Sequence, residues 1–158
     1  MRVGYRPETI RGYVIAAVER GAEWILMSSF TQPLTVTKIT ARMWRIERAF
    51  AYHVGSEESG DIIDVPWGFC TDFASVPRAF WIIFPPDGEY TQAAVLHDFL
   101  YSTQTRTRLA SDNIFLEAMK VLKVAWYTRY PIYWAVRSFA WLAWKSKRGG
   151  KDFSSVLV

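Results

Sequence analysis

The feature that most constrains the fold is a change of hydrophobic periodicity near the middle of the chain. Residues 34–39 and 43–54 are rich in β-branched and aromatic residues, and residues 44–52 alternate imperfectly with a period of two. A turn-forming cluster at 55–60 separates this block from a short apolar run at 61–65. The pattern predicts β-strands, with a hairpin around the cluster.

Apolar residues in the second half recur at helical spacing instead. This spacing predicts helices over 90–102, from Ser111 or Asp112 to about 122, and over 132–147 after an interruption at Pro131. A further helix is predicted over 7–20, followed by a short strand over 23–30. Strands followed by helices indicate the α+β class, with a small antiparallel β-sheet packed on a C-terminal helical bundle.

Length and composition favour one folded domain over residues 1–158. The chain has 158 residues, of which 51% are hydrophobic and 22% charged. Cys70 is the single cysteine, which excludes an internal disulfide and cysteine-rich metal sites. The net charge of +4 is mostly scattered, so no specific nucleic-acid partner is expected. The start of the chain is not typical of a signal peptide, and no apolar stretch is long enough to span a bilayer.

The most chemically suggestive segment contains His97, Asp98 and Tyr101. His97 and Tyr101 are four residues apart, so they share one face of the predicted helix, whereas Asp98 points elsewhere. This arrangement suggests His97 as a general base and Asp98 as a ligand of a metal ion or water. Such a histidine needs a carboxylate on its other ring nitrogen, and Asp112 on the next helix is the candidate, because the connection is short.

Each of these residues also has a purely structural interpretation. Asp112 is suited to capping its helix, and His97 to a hydrogen-bonded position in the core. Asp72, in the run TDFASVP, is suited to a turn. The functional alternative places Asp72 beside Asp98 at a divalent cation, for which calcium, magnesium or manganese fits oxygen ligands best.

Three blocks of sequence resemble an uncharacterised family common in tailed phages and prophages. They are VPWGFCTDFASVPR at 65–78, AAVLHDFLY at 93–101 and SDNIF at 111–115. The resemblance covers roughly residues 44–144, which suggests a family core over 41–144, with 1–40 as an N-terminal addition and 145–158 as a basic tail. It implies a phage or prophage origin, in the host cytoplasm or the virion, and supplies no function.

The second block is also similar to the active-site helix of secreted and parvoviral phospholipases A2. By that resemblance His97 would activate a water, Asp98 would bind calcium, and Tyr101 with Asp112 would orient the histidine. The glycine-rich loop that completes the calcium site in those enzymes has no counterpart here beyond Gly68, and the cysteine pair of the secreted enzymes is absent.

An aromatic segment begins at Tyr130 and ends at Lys147. Apolar residues surround this predicted helix on most sides, which favours burial in the core or in a subunit interface. The alternative is a helix lying at a membrane surface, with its lysines on anionic lipid.

These patterns lead to two hypotheses. The first is a phage-encoded, metal-assisted hydrolase that uses His97, Asp98, Asp112 and Asp72 on an ester or lipid-like substrate. The second is a non-enzymatic phage protein that binds other phage structural proteins, a host factor or further copies of itself, with the polar cluster serving only to hold the fold. Exposure should discriminate between them, because a catalytic His97 must line an open cleft, whereas a structural one is sealed and fully hydrogen-bonded.

Overall fold

The computed structural model describes residues 28–41, 43–72 and 89–147. The helix predicted over 7–20, the first part of the strand predicted over 23–30, and the FASVP end of the TDFASVP run lie outside the described residues. Six strands and four helices follow one another in these ranges. The strands are β1 (Ser29–Phe30), β2 (Val36–Lys38), β3 (Trp44–Ile46), β4 (Phe50–His53), β5 (Ile62–Val65) and β6 (Cys70–Thr71), and the helices are α1 (Thr91–Thr103), α2 (Arg108–Val121), α3 (Trp126–Phe139) and α4 (Trp141–Lys147).

The first sheet has the order β1-β4-β5 and is antiparallel throughout. It contains the predicted hairpin, β4–β5, in which Phe50 pairs with Val65 and His53 with Ile62. The connection contains a short 3-10 helix, Glu57–Ser59, and two glycines with left-handed backbone, Gly55 and Gly60. Glycine adopts this conformation without steric penalty, so the turn cluster can reverse the chain here.

The second sheet has the order β2-β3-β6 and shows that the single strand predicted over 43–54 was wrong. That segment forms β3 and β4, which belong to different sheets. The alternation places Ile46, Phe50 and Tyr52 in the core, but it would also bury Arg48. The chain bends at residues 47–48 instead, and Arg48 stays in solvent, which avoids the cost of burying a charge.

Two predicted helix boundaries also require correction. Helix α2 begins at Arg108, because Thr107 caps it by accepting a hydrogen bond from the Ala110 amide at 3.2 Å. Asp112 therefore lies inside the helix and does not cap it. Pro131 lies inside α3, which ends at Phe139 and is followed by the separate short helix α4.

Helix α1 lies at the centre of the helical half and contacts α2, α4 and β6. Nine of its residues are buried, so it is enclosed on nearly all sides. The sheets add Ile46, Tyr52 and Val65 to the same hydrophobic core. The α+β class predicted from the sequence is thus confirmed, with two small sheets in place of one.

Polar contacts between α2 and the first sheet supplement this packing. One carboxylate oxygen of Glu117 accepts hydrogen bonds from the Ser28 hydroxyl, from the Tyr52 hydroxyl at 3.0 Å and from the Gly55 amide at 3.0 Å. Arg106, just before α2, forms a two-contact ion pair with Asp61, next to β5. These contacts fix the hairpin to the helical half.

We expect Glu117→Ala to lower the free energy of unfolding by about 1–3 kcal/mol, because three donors would lose their shared acceptor. Glu58→Ala, in the exposed hairpin connection, is the control and should change stability by less than about 0.5 kcal/mol. Urea unfolding of the three proteins provides the comparison. Equal midpoints for the two variants would show that Glu117 does not join the two halves.

Candidate active site

The site lies where three helices meet. Helix α1 carries His97, Asp98 and Tyr101, α2 carries Asp112, and α3 carries Arg137. Residues 104–107 connect α1 to α2, and Gln104 ends α1 in a left-handed conformation, with its amide donating to the Leu100 carbonyl. This short connection places α2 directly against α1.

Asp112 is the central acceptor of the site, and its side chain is fully buried. Its Oδ1 lies 2.9 Å from Nε2 of His97 and accepts a hydrogen bond from the Tyr101 hydroxyl at 2.6 Å. Its Oδ2 accepts from Nη1 of Arg137 at 2.6 Å, and Arg108 lies at 4.0 Å from the same oxygen. The predicted contact between Asp112 and the His97 ring is therefore present.

These contacts keep Asp112 ionised. Burial alone would raise the pKa of its carboxyl, but the hydrogen bonds from His97, Tyr101 and Arg137 outweigh burial and hold the pKa below its ordinary value of 3.8. The hydrogen bond from Arg137 also raises the pKa of that guanidinium. Burial, together with the neighbouring carboxylate, raises the pKa of Tyr101, so its hydroxyl remains a donor.

The two ring nitrogens of His97 have different surroundings. Because Asp112 is ionised, we assign the proton of the neutral ring to Nε2, from which it is donated to Oδ1. The ring packs against Tyr101 and Phe115, at centroid distances of 4.1 and 4.8 Å. Its other nitrogen, Nδ1, is buried and has no hydrogen-bond partner among the residues that the structure describes.

The exposure and hydrogen bonding of His97, which should separate a catalytic from a structural histidine, give a mixed result. His97 is fully buried, as expected of a structural histidine. Its hydrogen bonding is nevertheless incomplete, because Nδ1 has no partner among the described residues. A water or a ligand group could donate a hydrogen bond to this nitrogen.

Asp98 lies apart from the contacts of Asp112. It is buried and accepts a hydrogen bond from the hydroxyl of Thr71 in β6, so it joins the HDxxY block to the TDxAS block. Asp72 is partly buried. Among the described residues, no three histidine, cysteine, aspartate or glutamate side chains converge on a point suited to a metal ion. The cation-binding roles of Asp98 and Asp72 stay predictions.

Sequence reasoning missed Arg137, Arg108 and Thr71 as members of the site. Arg137 carried a signal, since it is a charge within an otherwise apolar segment. A cation among apolar residues is expected to be paired where its helix packs against the core, and Arg137 is paired with Asp112 while a quarter of its side chain stays exposed. Thr71 carried no comparable signal, because its bond to Asp98 depends on how β6 lies against α1.

Comparisons with known proteins place this site within a family. Residues 44–136 match the family described as protein of unknown function (DUF1353). The chain belongs to this family. The matched region runs from β3 into α3 and includes Thr71, His97, Asp98, Tyr101 and Asp112, while Arg137 lies one residue beyond it.

One similar relative is an uncharacterized protein, y4jT, of Sinorhizobium fredii (strain NBRC 101917 / NGR234). The two are 35% identical over 77 residues, which is 48% of this chain and 23% of the relative. The chain thus spans about a quarter of that relative's length. No solved structure matches the chain significantly.

We expect Asp112→Asn to lower the free energy of unfolding by about 1.5–3 kcal/mol, because His97, Tyr101 and the partly exposed guanidinium of Arg137 lose a charged acceptor. Asp61→Asn, which removes a half-exposed ion pair with Arg106, is the control and should cost about 1 kcal/mol or less.

Acid titration tests the same carboxylate independently. A lowered folded-state pKa contributes stability that is complete above the ordinary value of 3.8 and is lost as the pH falls through the folded-state pKa. Thermal melts between pH 7 and pH 2 should therefore show an acid loss in the wild type that is smaller in Asp112→Asn. An identical acid loss in both proteins would contradict an ionised Asp112.

Proposed function

We propose that this protein is a hydrolase in which Nδ1 of His97 is the general base. The observation that carries the proposal is the unequal pairing of the His97 ring. Nε2 is held by Asp112, whereas Nδ1 is buried without a partner. A carboxylate on one nitrogen and a free lone pair on the other is the arrangement that a base requires.

The chemistry follows from this geometry. A water hydrogen-bonded to Nδ1 gives it a proton as its oxygen attacks the carbonyl carbon of an ester. The resulting imidazolium is stabilised by Asp112, whose charge is maintained by Arg137 and Tyr101. Collapse of the tetrahedral intermediate breaks the bond to the alcohol oxygen, which takes the proton from Nδ1. The products are a carboxylic acid and an alcohol, and the ring returns to its neutral state.

The substrate class rests on the similarity to phospholipases A2. In this chain His97, Tyr101 and Asp112 occupy the positions of the base and its supporting groups, and Asp98 occupies the position of the calcium ligand. We therefore propose an ester or lipid-like substrate, with a divalent cation at Asp98 and Asp72 as a separate hypothesis. The proton transfers described above do not pass through that cation.

The biological setting is proposed on the resemblance to phage and prophage proteins. We place the protein in an infected bacterium or in the virion. The family description and the rhizobial relative both leave the function open.

A second candidate function is favoured by the complete burial of His97. In this alternative the network of Asp112 is a rigid core that holds the helices in place. The protein would then bind other phage structural proteins, a host factor or a second copy of itself, without catalysis.

Substitution of His97 by glutamine distinguishes the two functions. Glutamine still donates a hydrogen bond to Asp112 but has no base at the position of Nδ1. For a hydrolase, we expect hydrolysis of phospholipid or nitrophenyl esters to fall at least about 100-fold, while the unfolding free energy changes by less than about 1 kcal/mol. For a structural protein, neither the wild type nor His97→Gln hydrolyses an ester.

His53→Gln is the matched control, because His53 is the only other histidine and its Nδ1 is also buried without a partner. It should retain wild-type hydrolysis. Undiminished hydrolysis by His97→Gln would contradict the assignment of the base.

A further inference from the structure

The helices α3 and α4 carry large apolar side chains on the outside of the protein. On α3, four of the five exposed aromatic residues, Trp126, Tyr127, Tyr130 and Trp134, lie within about 100° of the helix circumference, and the fifth, Phe139, lies on the other side at the end of the helix. On α4, Trp141 and Leu142 are exposed as well. We call these six residues the aromatic face.

The aromatic face is not needed for the core. The opposite side of α3 buries Ile132, Ala135 and Val136 against the rest of the protein. Trp126 and Trp134 remain 68% and 63% exposed. The helix thus presents larger apolar side chains to solvent than to its own core. An exposed apolar patch of this kind marks an interaction site.

The charged residues near the aromatic face indicate which kind of partner binds there. Residues 118–147 contain six of the nineteen basic residues of the chain and none of the fifteen acidic ones. Two of the cations sit over rings of the segment, with Lys145 Nζ 4.9 Å from the Trp141 centroid and the Arg129 guanidinium 5.4 Å from that of Tyr130. Arg137 is paired with Asp112, and the other five cations of this segment, together with its tryptophans and tyrosines, are complementary to anionic lipid headgroups.

The length of α3 determines how it can contact a membrane. Helix α3 has 14 residues, which corresponds to about 21 Å. No helix in the described ranges is long and apolar enough to cross a membrane. A helix of this kind lies in the plane of the interface, with its rings at headgroup level.

We infer that the aromatic face is a docking surface for an anionic phospholipid bilayer. The inference does not require hydrolysis, because it rests on α3 and α4 and not on His97. It is compatible with the proposed lipid-like substrate.

Co-sedimentation with vesicles tests the inference on the full chain. We expect binding to vesicles of equal parts phosphatidylglycerol and phosphatidylcholine, and at least about tenfold weaker binding to pure phosphatidylcholine. Trp134→Ser should weaken binding to the anionic vesicles at least about tenfold. Trp67→Ser is the matched control, because Trp67 is equally exposed, at 63%, in the turn between β5 and β6, and should bind like the wild type.

A charge reversal provides the second arm. Lys145→Glu should weaken binding at least about fivefold. Lys38→Glu is its control, since Lys38 also lies over a tryptophan ring, that of Trp44 at 5.3 Å, but in β2. Circular dichroism verifies that each variant is folded.

Three outcomes would overturn the inference. The first is equal binding to both kinds of vesicle, and the second is equal effects of the Trp134 and Trp67 substitutions. The third is a wild-type dimer in ultracentrifugation that Trp134→Ser dissociates, which would assign the aromatic face to a second copy of the chain. His97→Gln separates the two proposals, because it should bind vesicles like the wild type whether or not ester hydrolysis depends on His97.

Discussion

The ionised carboxylate of Asp112 is the interaction on which the helical half depends. A charge buried in a protein interior is tolerated only when it is paired and hydrogen-bonded. Here the partners come from all three long helices, with His97 and Tyr101 from α1, Arg137 from α3, and the carboxylate itself from α2. Sliding any one helix by a turn would separate at least one partner from the charge. The network therefore sets the relative register of the three helices, in addition to any stability it contributes.

The hydrogen bond to Asp112 also makes the two ring nitrogens of His97 chemically different. Because Asp112 takes Nε2 of His97, the ring cannot turn to pair Nδ1 without leaving the carboxylate short of a donor. Asp98, the next residue, points to a different neighbour and accepts from Thr71 of the second sheet. The same helical turn therefore joins the helices to one another through His97 and to the sheet through Asp98. A side chain that is held rigidly in this way can act as a general base without a change in its own position.

The parts that were predictable from the sequence depend on local spacing. The contact of His97, Tyr101 and Asp112 follows from a four-residue helical step and a short connection, and the hairpin follows from its turn residues. The division of 43–54 between two sheets, the pairing of Arg137 and the bond from Thr71 depend on packing between distant segments, which no local pattern specifies. The aromatic segment was predicted to be buried because it is apolar nearly all round, yet one side of α3 is exposed. Periodicity cannot show whether a partner covers an apolar face.

The central claim is that Nδ1 of His97 is an unprotonated, available base. Nitrogen-15 NMR of the ring, recorded at a pH at which His97 is neutral, tests this claim most directly, with His97→Gln to assign the signals. We expect the proton to lie on Nε2, where it forms the hydrogen bond to Asp112. No proton should lie on Nδ1. A neutral ring that carries its proton on Nδ1 would contradict both the assigned role of Asp112 and the proposed function.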